Sequence, residues 1–163
     1  MSDRLHVTFV CTGNICRSPM AQSIVTHAVE SAGLSDRVRI DSCGTGSWHV
    51  GEPADDRARA ELRRNGYSDD HAAAVLGAQH STADLLVALD RGHLDALRRK
   101  RLGDRARLLR SFDPHVDPDR AGGADLDVAD PYYGDQSDFT RVREQIEAAV
   151  PGLLDWMREQ LAR

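Results

Sequence analysis

The fold of this chain is decided by one stretch of sequence, residues 11–19, which read CTGNICRSP. The apolar run before it, residues 5–10, is typical of a buried strand, and residues 20–29 after it are typical of a helix. Ser18 is the expected N-cap of that helix, and Pro19 is expected in its first turn. The stretch is therefore predicted to form a tight loop between a strand and the N-terminus of a helix.

A loop of this kind points several backbone N–H groups inward, and the helix dipole adds partial positive charge. The guanidinium of Arg17 adds a planar fork of donors that binds two oxygens at once. Together these features predict a site for a dianion such as phosphate or arsenate. We name residues 11–18 the phosphate loop. The loop residues expected around the anion are Thr12, Gly13, Asn14, Ile15, Cys16 and Ser18.

Cys11 lies at the start of the phosphate loop, in the same positive field. Helix N-termini and nearby cations lower the pKa of a thiol from about 8.5 to roughly 3.5–7.5. We therefore expect a thiolate at neutral pH, to which Ser18 can donate a hydrogen bond. This arrangement favours attack of sulfur on phosphorus and a covalent thiophosphate intermediate. A buried structural cysteine near a helix start is the alternative.

Strand and helix patterns alternate along the chain. This alternation predicts a single doubly wound α/β domain over residues 1–163, with a four-stranded parallel sheet, helices on both faces and the active site at the carboxyl ends of the strands. The predicted strands are 5–10, 37–41, 84–89 and 105–109, and the predicted helices are 20–29, 54–64, 93–100, 138–149 and 152–162, the last two separated at Pro151. Residues 111–137 form a long polar loop, and loops of that length are usually functional or disordered.

Several motifs resemble those of the low-molecular-weight protein tyrosine phosphatases, and the resemblance is strongest to actinobacterial members. The motifs are the phosphate loop, Ser42-Cys43-Gly44-Thr45 where the family usually has Ser-Ala-Gly-Thr, Trp48, His71, residues 85–90 (LLVALD) and residues 127–134 (DVADPYYG). The resemblance implies a phosphatase that hydrolyses phosphotyrosine in proteins, and small aryl phosphates, through a cysteinyl-phosphate intermediate and without a cofactor.

The departing phenolate needs a proton, and residues 111–137 hold several aspartates among which spacing alone selects none. Asp130 stands out because it precedes Pro131, which restricts the conformation of the residue before it. The resemblance implies that Asp130 is the general acid, which protonates the leaving oxygen and then activates water. The predicted catalytic set is therefore Cys11, Arg17 and Asp130.

The resemblance also implies an aromatic substrate pocket. Trp48 would form one wall and Tyr132 and Tyr133 the other, which fits a phosphotyrosine ring and disfavours the shorter phosphoserine. The family sometimes uses such tyrosines as phosphorylation sites, so a tyrosine kinase that acts on Tyr132 or Tyr133 is an expected partner beside the phosphotyrosine proteins. A core tryptophan is the alternative for Trp48.

Three further residues are expected to support the phosphate loop. Ser42 ends the second predicted strand, Asp90 ends the third, and His71 matches a histidine of the family's support network. The match at His71 is imperfect, because Ala74 stands where the family usually has a basic residue. The other histidines form no recognisable ligand cluster.

The three cysteines form no disulfide framework, and their odd number fits a reducing compartment. Cys11 and Cys16 are five residues apart, which matches no common zinc spacing, so no metal is expected. Cys16 is expected to form a reversible disulfide with an oxidised Cys11, which would protect Cys11. The alternative for Cys16 is a small residue that fills the loop. Cys43 is expected to be a buried small residue.

The composition is that of a small enzyme. The 163 residues carry 21 basic and 26 acidic side chains, a net charge of −5, which argues against nonspecific binding to nucleic acid. No stretch approaches the ~20 apolar residues that span a bilayer, and residues 1–4 and the strand after them are too short for a secretory signal. We expect a cytoplasmic monomer that binds no membrane, with export by an unreadable signal left open.

Two other functions fit the same loop. An arsenate reductase with internal recycling would need further cysteines, and none follows Cys43, but a form that uses an external thiol stays open. A noncatalytic phosphotyrosine-binding module is the other alternative, although it would need neither a nucleophile nor an acid. A related phosphatase of phosphoarginine typically has Thr where this chain has Ile15, so Ile15 favours tyrosine.

Overall fold

The computed structural model describes residues 4–163, and a parallel sheet lies at its centre. The strands are β1 (Leu5–Cys11), β2 (Val38–Gly44), β3 (Leu85–Ala88) and β4 (Ala106–Leu108). They lie in the order β2-β1-β3-β4 and all three pairings are parallel. The strands therefore present their carboxyl ends at one edge of the sheet, and β1 delivers Cys11 there from a central position.

Helices cover both faces of the sheet. They are α1 (Arg17–Ser31), α2 (Asp56–Arg64), α3 (Ala78–Ser81), α4 (Arg91–Arg99) and α5 (Gln136–Leu161), with short 3-10 segments at Gly103–Arg105, Leu109–Phe112 and Arg120–Leu126. One face packs against α1, α2 and α5, and the other against α4. Alternation along β1 explains the two cores, because Phe9 enters the first and Val10 the second. The predicted four-stranded α/β fold is confirmed.

The predicted N-cap of α1 is wrong. The helix begins at Arg17, Cys16 occupies the N-cap position, and no side chain caps the first turn. Ser18 is the second helical residue, and its hydroxyl bonds to groups of the phosphate loop instead. Pro19 lies in the first turn as predicted, where its missing N–H would have had no helical partner.

The predicted break at Pro151 is also wrong, because α5 runs through it without interruption. Its buried residues keep a helical spacing on both sides of the proline: Phe139, Val142, Ile146, Ala149, Leu153 and Met157. Pro151 itself is exposed, so water can hydrate the carbonyl that loses its partner. At Gly152 a Cβ would lie 2.1 Å from the carbonyl oxygen of Phe112, so the helix packs directly on the Leu109–Phe112 turn.

The long segment after that turn is anchored rather than structureless. Arg110 donates to the carbonyl of Asp125, and Arg91 donates to the carbonyl of Gly122 at 2.9 Å. Within residues 4–163 no helix has the length and apolar character to cross a bilayer.

Candidate active site

Cys11 ends β1 and is buried, with 3% of its surface exposed. Its Sγ lies 2.8 Å from the hydroxyl of Ser18. The Ser18 oxygen accepts a hydrogen bond from Asn14 Nδ2 at 2.7 Å, and its own proton has two acceptors within reach, the sulfur of Cys11 at 2.8 Å and the carbonyl of Cys43 at 3.5 Å, of which the sulfur is the nearer. The hydroxyl of Ser18 is the donor that a thiolate at Cys11 requires.

Asn14 is the centre of the contacts that hold the phosphate loop. Its φ is 58°, in the left-handed region that asparagine tolerates better than most residues. Beyond Ser18, its Nδ2 donates to Ser42 Oγ at 3.0 Å, and its Oδ1 accepts from the backbone N–H of Ala74 at 2.9 Å. His71 Nε2 donates to the Asn14 carbonyl at 2.7 Å. Burial lowers the pKa of His71, which favours the neutral ring with its proton on Nε2.

Ala74 contributes to these contacts through its backbone. Only its backbone N–H touches Asn14, and every residue except proline supplies that donor. The loop also packs closely on the end of β2, because a Cβ at Gly44 would lie 2.7 Å from the carbonyl oxygen of Thr12. The Ser42–Thr45 motif thus provides both a hydroxyl partner and the space that the loop needs.

Arg17 is buried, with 3% of its surface exposed, and its guanidinium is already oriented. Nη1 donates to Asp90 Oδ2 at 2.7 Å and to the carbonyl of Val128 at 2.8 Å. Burial acts to raise the pKa of Asp90, but contacts with His93 and Arg17, among them one hydrogen bond from the His93 backbone N–H and one from Arg17 Nη1, hold it below its usual value. Asp90 is therefore ionised at neutral pH and fixes the position of the arginine.

His93 belongs to the same network, although it was not among the residues expected there from the sequence. Its Nδ1 accepts the backbone N–H of Asp90 at 3.2 Å, so its Nε2–H donates to Thr12 Oγ1 in the phosphate loop at 2.9 Å. Burial lowers the pKa of His93 to about 4, which keeps the ring neutral. The signal in the sequence is the Asp90-x-x-His93 spacing, because Asp90 caps α4 and His93 completes the capping box.

Asp130 faces Arg17 from across the pocket. We name residues 127–135 the Asp130 loop. The Oδ1 of Asp130 accepts the backbone N–H of Tyr132 at 3.1 Å, and its Oδ2 lies 3.8 Å from Arg17 Nη2. The side chain is 47% exposed, which contrasts with 4% for Arg17. The carboxyl group is therefore oriented by its own turn and remains open to the pocket.

Aromatic side chains surround the entrance of the pocket. Trp48, Tyr132 and Tyr133 line it together with the phosphate loop and Asp130. Trp48 is 73% exposed, which contradicts a role in the core, and its ring folds over Gly46, where a Cβ would lie 1.8 Å from a ring atom. The two tyrosine rings meet edge to face with centroids 5.0 Å apart. His49 also lines the pocket, and the sequence reasoning missed it although it follows Trp48 directly.

The other two cysteines are buried and, like Cys11, free. Cys16 lines the pocket, and burial raises the pKa of its thiol well above the usual value. Cys43 is fully buried, as expected for a small residue in the position where alanine is usual. Burial raises its pKa to about 12, so it is a neutral thiol. Of the three cysteines, Cys11 is therefore the one with a hydroxyl at 2.8 Å, that of Ser18, and it lines the same pocket as Arg17.

Three features define the small cysteine-based phosphatases, and this protein has all of them. A buried cysteine ends a central strand of a parallel sheet, an arginine begins the next helix, and a carboxyl group lies opposite that arginine. A family model described as low molecular weight phosphotyrosine protein phosphatase matches residues 6–163. The chain belongs to this family.

Relatives from two actinobacteria agree with that assignment. The Mycobacterium tuberculosis (strain H37Rv) protein named low molecular weight protein-tyrosine phosphatase A is 57% identical, over 100% of this chain and 98% of its own length. The Streptomyces coelicolor low molecular weight protein-tyrosine-phosphatase is 52% identical, over 96% of this chain and 95% of its own. A crystal structure of a protein tyrosine phosphatase from Entamoeba histolytica superimposes with a TM-score of 0.86 at 28% identity, over 96% of this chain and 98% of that chain. The predicted resemblance is confirmed.

Proposed function

We propose that this protein hydrolyses phosphotyrosine in proteins, and small aryl phosphates, through a phosphocysteine on Cys11. The observation that carries the proposal is the juxtaposition of Cys11, Arg17 and Asp130 around one pocket. The Ser18 hydroxyl at 2.8 Å from sulfur and the buried, oriented guanidinium supply the stabilisation that the chemistry needs.

In the first step, the thiolate of Cys11 attacks phosphorus and an S–P bond forms. The bond between phosphorus and the aryl oxygen breaks, and Asp130 gives its proton to that oxygen, so that a neutral phenol leaves. Arg17 turns its fork of donors to two of the equatorial oxygens, while the loop N–H groups bind the remaining charge. Asp90 keeps the guanidinium in place during the step.

In the second step, Asp130 takes a proton from a water molecule, and the water oxygen attacks phosphorus. The S–P bond breaks, inorganic phosphate leaves, and Cys11 returns to the thiolate. The Ser18 hydroxyl stabilises the departing sulfur through the hydrogen bond described above. Asn14, Ser42, His71 and Thr12 act indirectly, because they hold the loop in the conformation that binds the anion.

The pocket favours an aromatic substrate. Trp48 and the two tyrosines would contact a phosphotyrosine ring, whereas the shorter phosphoserine has no ring to place against them. Ile15 and Gly13 also line the pocket: Ile15 adds an apolar side chain, and Gly13 has no side chain that would fill the space. We further propose that Cys16, which lines the same pocket, condenses with the sulfenic acid that a peroxide forms on Cys11, so that an S–S bond forms, water leaves and Cys11 is protected from further oxidation.

The remaining expectations concern the partners, the oligomeric state and the localisation of the protein. Tyr133 is 91% exposed and Tyr132 40%, so both are accessible to a tyrosine kinase, and Tyr133 more so. We propose that phosphotyrosine proteins and such a kinase are the partners, that the protein works as a monomer of one domain, and that it acts in the cytoplasm. The net charge of −5 supports the absence of nucleic-acid binding.

The test is hydrolysis of phenyl phosphate and of a phosphotyrosine peptide by the purified protein in excess chelator. We expect turnover of both, and loss of turnover in Cys11→Ser with the fold retained. Full activity of Cys11→Ser, or dependence on an added metal, would contradict the mechanism.

Parallel assays separate the alternatives. A phosphoserine peptide and phosphoarginine should be turned over far more slowly than phosphotyrosine, because neither fills the aromatic pocket. Reduction of arsenate with an added small thiol would favour the reductase, and binding of the phosphotyrosine peptide without turnover would favour the binding module.

A further inference from the structure

The Asp130 loop has an anchor at each end. At its start, the backbone N–H of Arg91 donates to Asp127 Oδ1 at 2.8 Å, and its guanidinium pairs with the same carboxylate. The backbone N–H of Val128 also donates to the carbonyl of Leu89 at 2.8 Å, which fixes the loop to the end of β3. These contacts position the segment that precedes Asp130.

On the other side of Asp130, the anchor comes from α2. Arg57 Nη1 donates to the carbonyl of Gly134 at 2.9 Å, and Nη2 donates to the carbonyl of Tyr132 at 2.9 Å. Two nitrogens of one guanidinium thus bind two carbonyls that follow the aspartate. The same guanidinium lies 5.9 Å from the centroid of the Tyr132 ring.

Arg57 is itself held in one position. Its Nε and Nη2 each donate to Asp55, at 3.0 Å, in a bidentate pair, and its guanidinium stacks over the Phe139 ring at 4.6 Å. Asp55 is the N-cap of α2, and its backbone N–H donates to the carbonyl of Ile15 at 2.8 Å. A short path of direct contacts therefore runs from the phosphate loop, through Asp55 and Arg57, to the Asp130 loop.

We propose that Arg57 is the positioning residue for the general acid. It holds the Tyr132–Gly134 turn at a fixed distance from the phosphate loop, and through that turn it sets where the Asp130 carboxyl meets the leaving oxygen. The inference rests on the proposed function, because it assigns a means of positioning to the acid of that reaction. Arg57 touches no reacting atom, and its effect passes through the loop backbone.

The arrangement requires arginine. A guanidinium provides five N–H donors in a plane, and four of its contacts here, two to Asp55 and two to carbonyls, use that geometry. A lysine ammonium is a compact charge that cannot reach Asp55 and both carbonyls in the same way. Arg57→Lys therefore keeps the charge and removes the clamp.

The test compares two aryl phosphates that differ in their need for an acid. The p-nitrophenolate group leaves readily without a proton, whereas phenolate from phenyl phosphate depends on one. We expect Arg57→Ala and Arg57→Lys to lower kcat/KM for phenyl phosphate by between about tenfold and 100-fold, and for p-nitrophenyl phosphate by less than about threefold. Arg64→Ala, an exposed arginine in the last turn of the same helix, is the matched control and should match the wild type for both substrates.

A double variant separates positioning from a general loss of structure. In an Asp130→Ala background the acid is gone, so adding Arg57→Ala should lower kcat/KM for phenyl phosphate by less than about threefold further. Urea unfolding of each variant checks the fold, and Arg57→Lys serves where Arg57→Ala is too unstable. An equal loss for both substrates, no loss, or full additivity with Asp130→Ala would overturn the inference.

Failure of the inference is distinct from failure of the proposed function. If the wild type turns over both substrates and Asp130→Ala loses activity mainly on phenyl phosphate, the function stands whatever Arg57 does. A wild type that hydrolyses neither aryl phosphate contradicts the function itself.

Discussion

The phosphate loop and the Asp130 loop flank the same pocket, but different kinds of contact hold them. Asn14, Ser18 and Ser42 in and beneath the phosphate loop are buried, and short hydrogen bonds between neutral groups join them. The Asp130 loop is largely exposed and is held at its two ends by the guanidinium groups of Arg91 and Arg57.

The difference matches what each loop must do. The phosphate loop has to present N–H groups and a thiolate in a fixed geometry, and a buried network gives that rigidity because breaking one contact leaves its partners unpaired. The Asp130 loop has to admit a protein-bound phosphotyrosine, and guanidinium contacts at its two ends hold its backbone while its outer surface stays exposed. In the proposed mechanism, the loop that binds the anion is therefore buried and the loop that carries the acid is exposed.

The largest expected effect comes from removing the acid while leaving the network intact. Asp130→Ala should lower kcat/KM for phenyl phosphate by about 10²–10⁴-fold, because the phenolate then leaves unprotonated. Its free energy of unfolding should stay within about 0.5 kcal/mol of the wild type, since the side chain is half exposed. Steady-state kinetics and urea titration measure the two quantities. An unchanged rate would move the acid to another residue.

A change at the centre of the phosphate loop should lower the stability of the protein, which Asp130→Ala leaves nearly unchanged. Asn14→Ala removes the partners of Ser18, Ser42 and the Ala74 N–H in a buried site, and it should lower the free energy of unfolding by about 3 kcal/mol. Asn14→Gly relieves the backbone at φ 58° and so separates lost hydrogen bonds from strain. If urea titration finds both variants as stable as the wild type, the buried hydrogen bonds of Asn14 do not stabilise the phosphate loop.

The smallest expected effect is a pH dependence that arises from His93. Burial lowers its folded pKa to about 4, below the unfolded value of 6.5, so the unfolded chain binds more protons between these values. Its contribution to the free energy of unfolding should fall by about 2 kcal/mol as the pH drops from 7 to 5. His93→Asn cannot titrate and should be less sensitive to acid by that amount in urea titrations at the two pH values. If the stability of the variant and of the wild type depends equally on pH, His93 is not the cause of the pH dependence.

The strand, loop and helix around residues 11–18 could be predicted from the sequence because they are contiguous in the chain. A strand, a glycine-containing turn and a helix start lie within a few residues, so local rules place Cys11 and Arg17 at one site. The same local rules made Ser18 an N-cap and Pro151 a break. In both cases tertiary contacts prevailed, namely the bonds of the Ser18 hydroxyl within the loop and the packing of α5 on the core.

The supports of the two loops were harder to predict. Arg57 binds backbone carbonyls 75 and 77 residues away in the chain, and carbonyls leave no mark on a sequence because every residue has one. His93 is 81 residues from its partner Thr12. Asp130 was selected among several aspartates by resemblance, since only the folded chain brings it opposite Arg17.

The central claim, that Cys11 carries the phosphoryl group, is tested most directly by acid-quenching the protein during turnover of p-nitrophenyl phosphate and mapping the modified peptide by mass spectrometry. The account predicts one phosphoryl group on Cys11 in the wild type, more of it in Asp130→Ala, where water is not activated, and none in Cys11→Ala. A wild type that turns over substrate with no phosphoryl group on Cys11, or with one on another residue, would contradict the account.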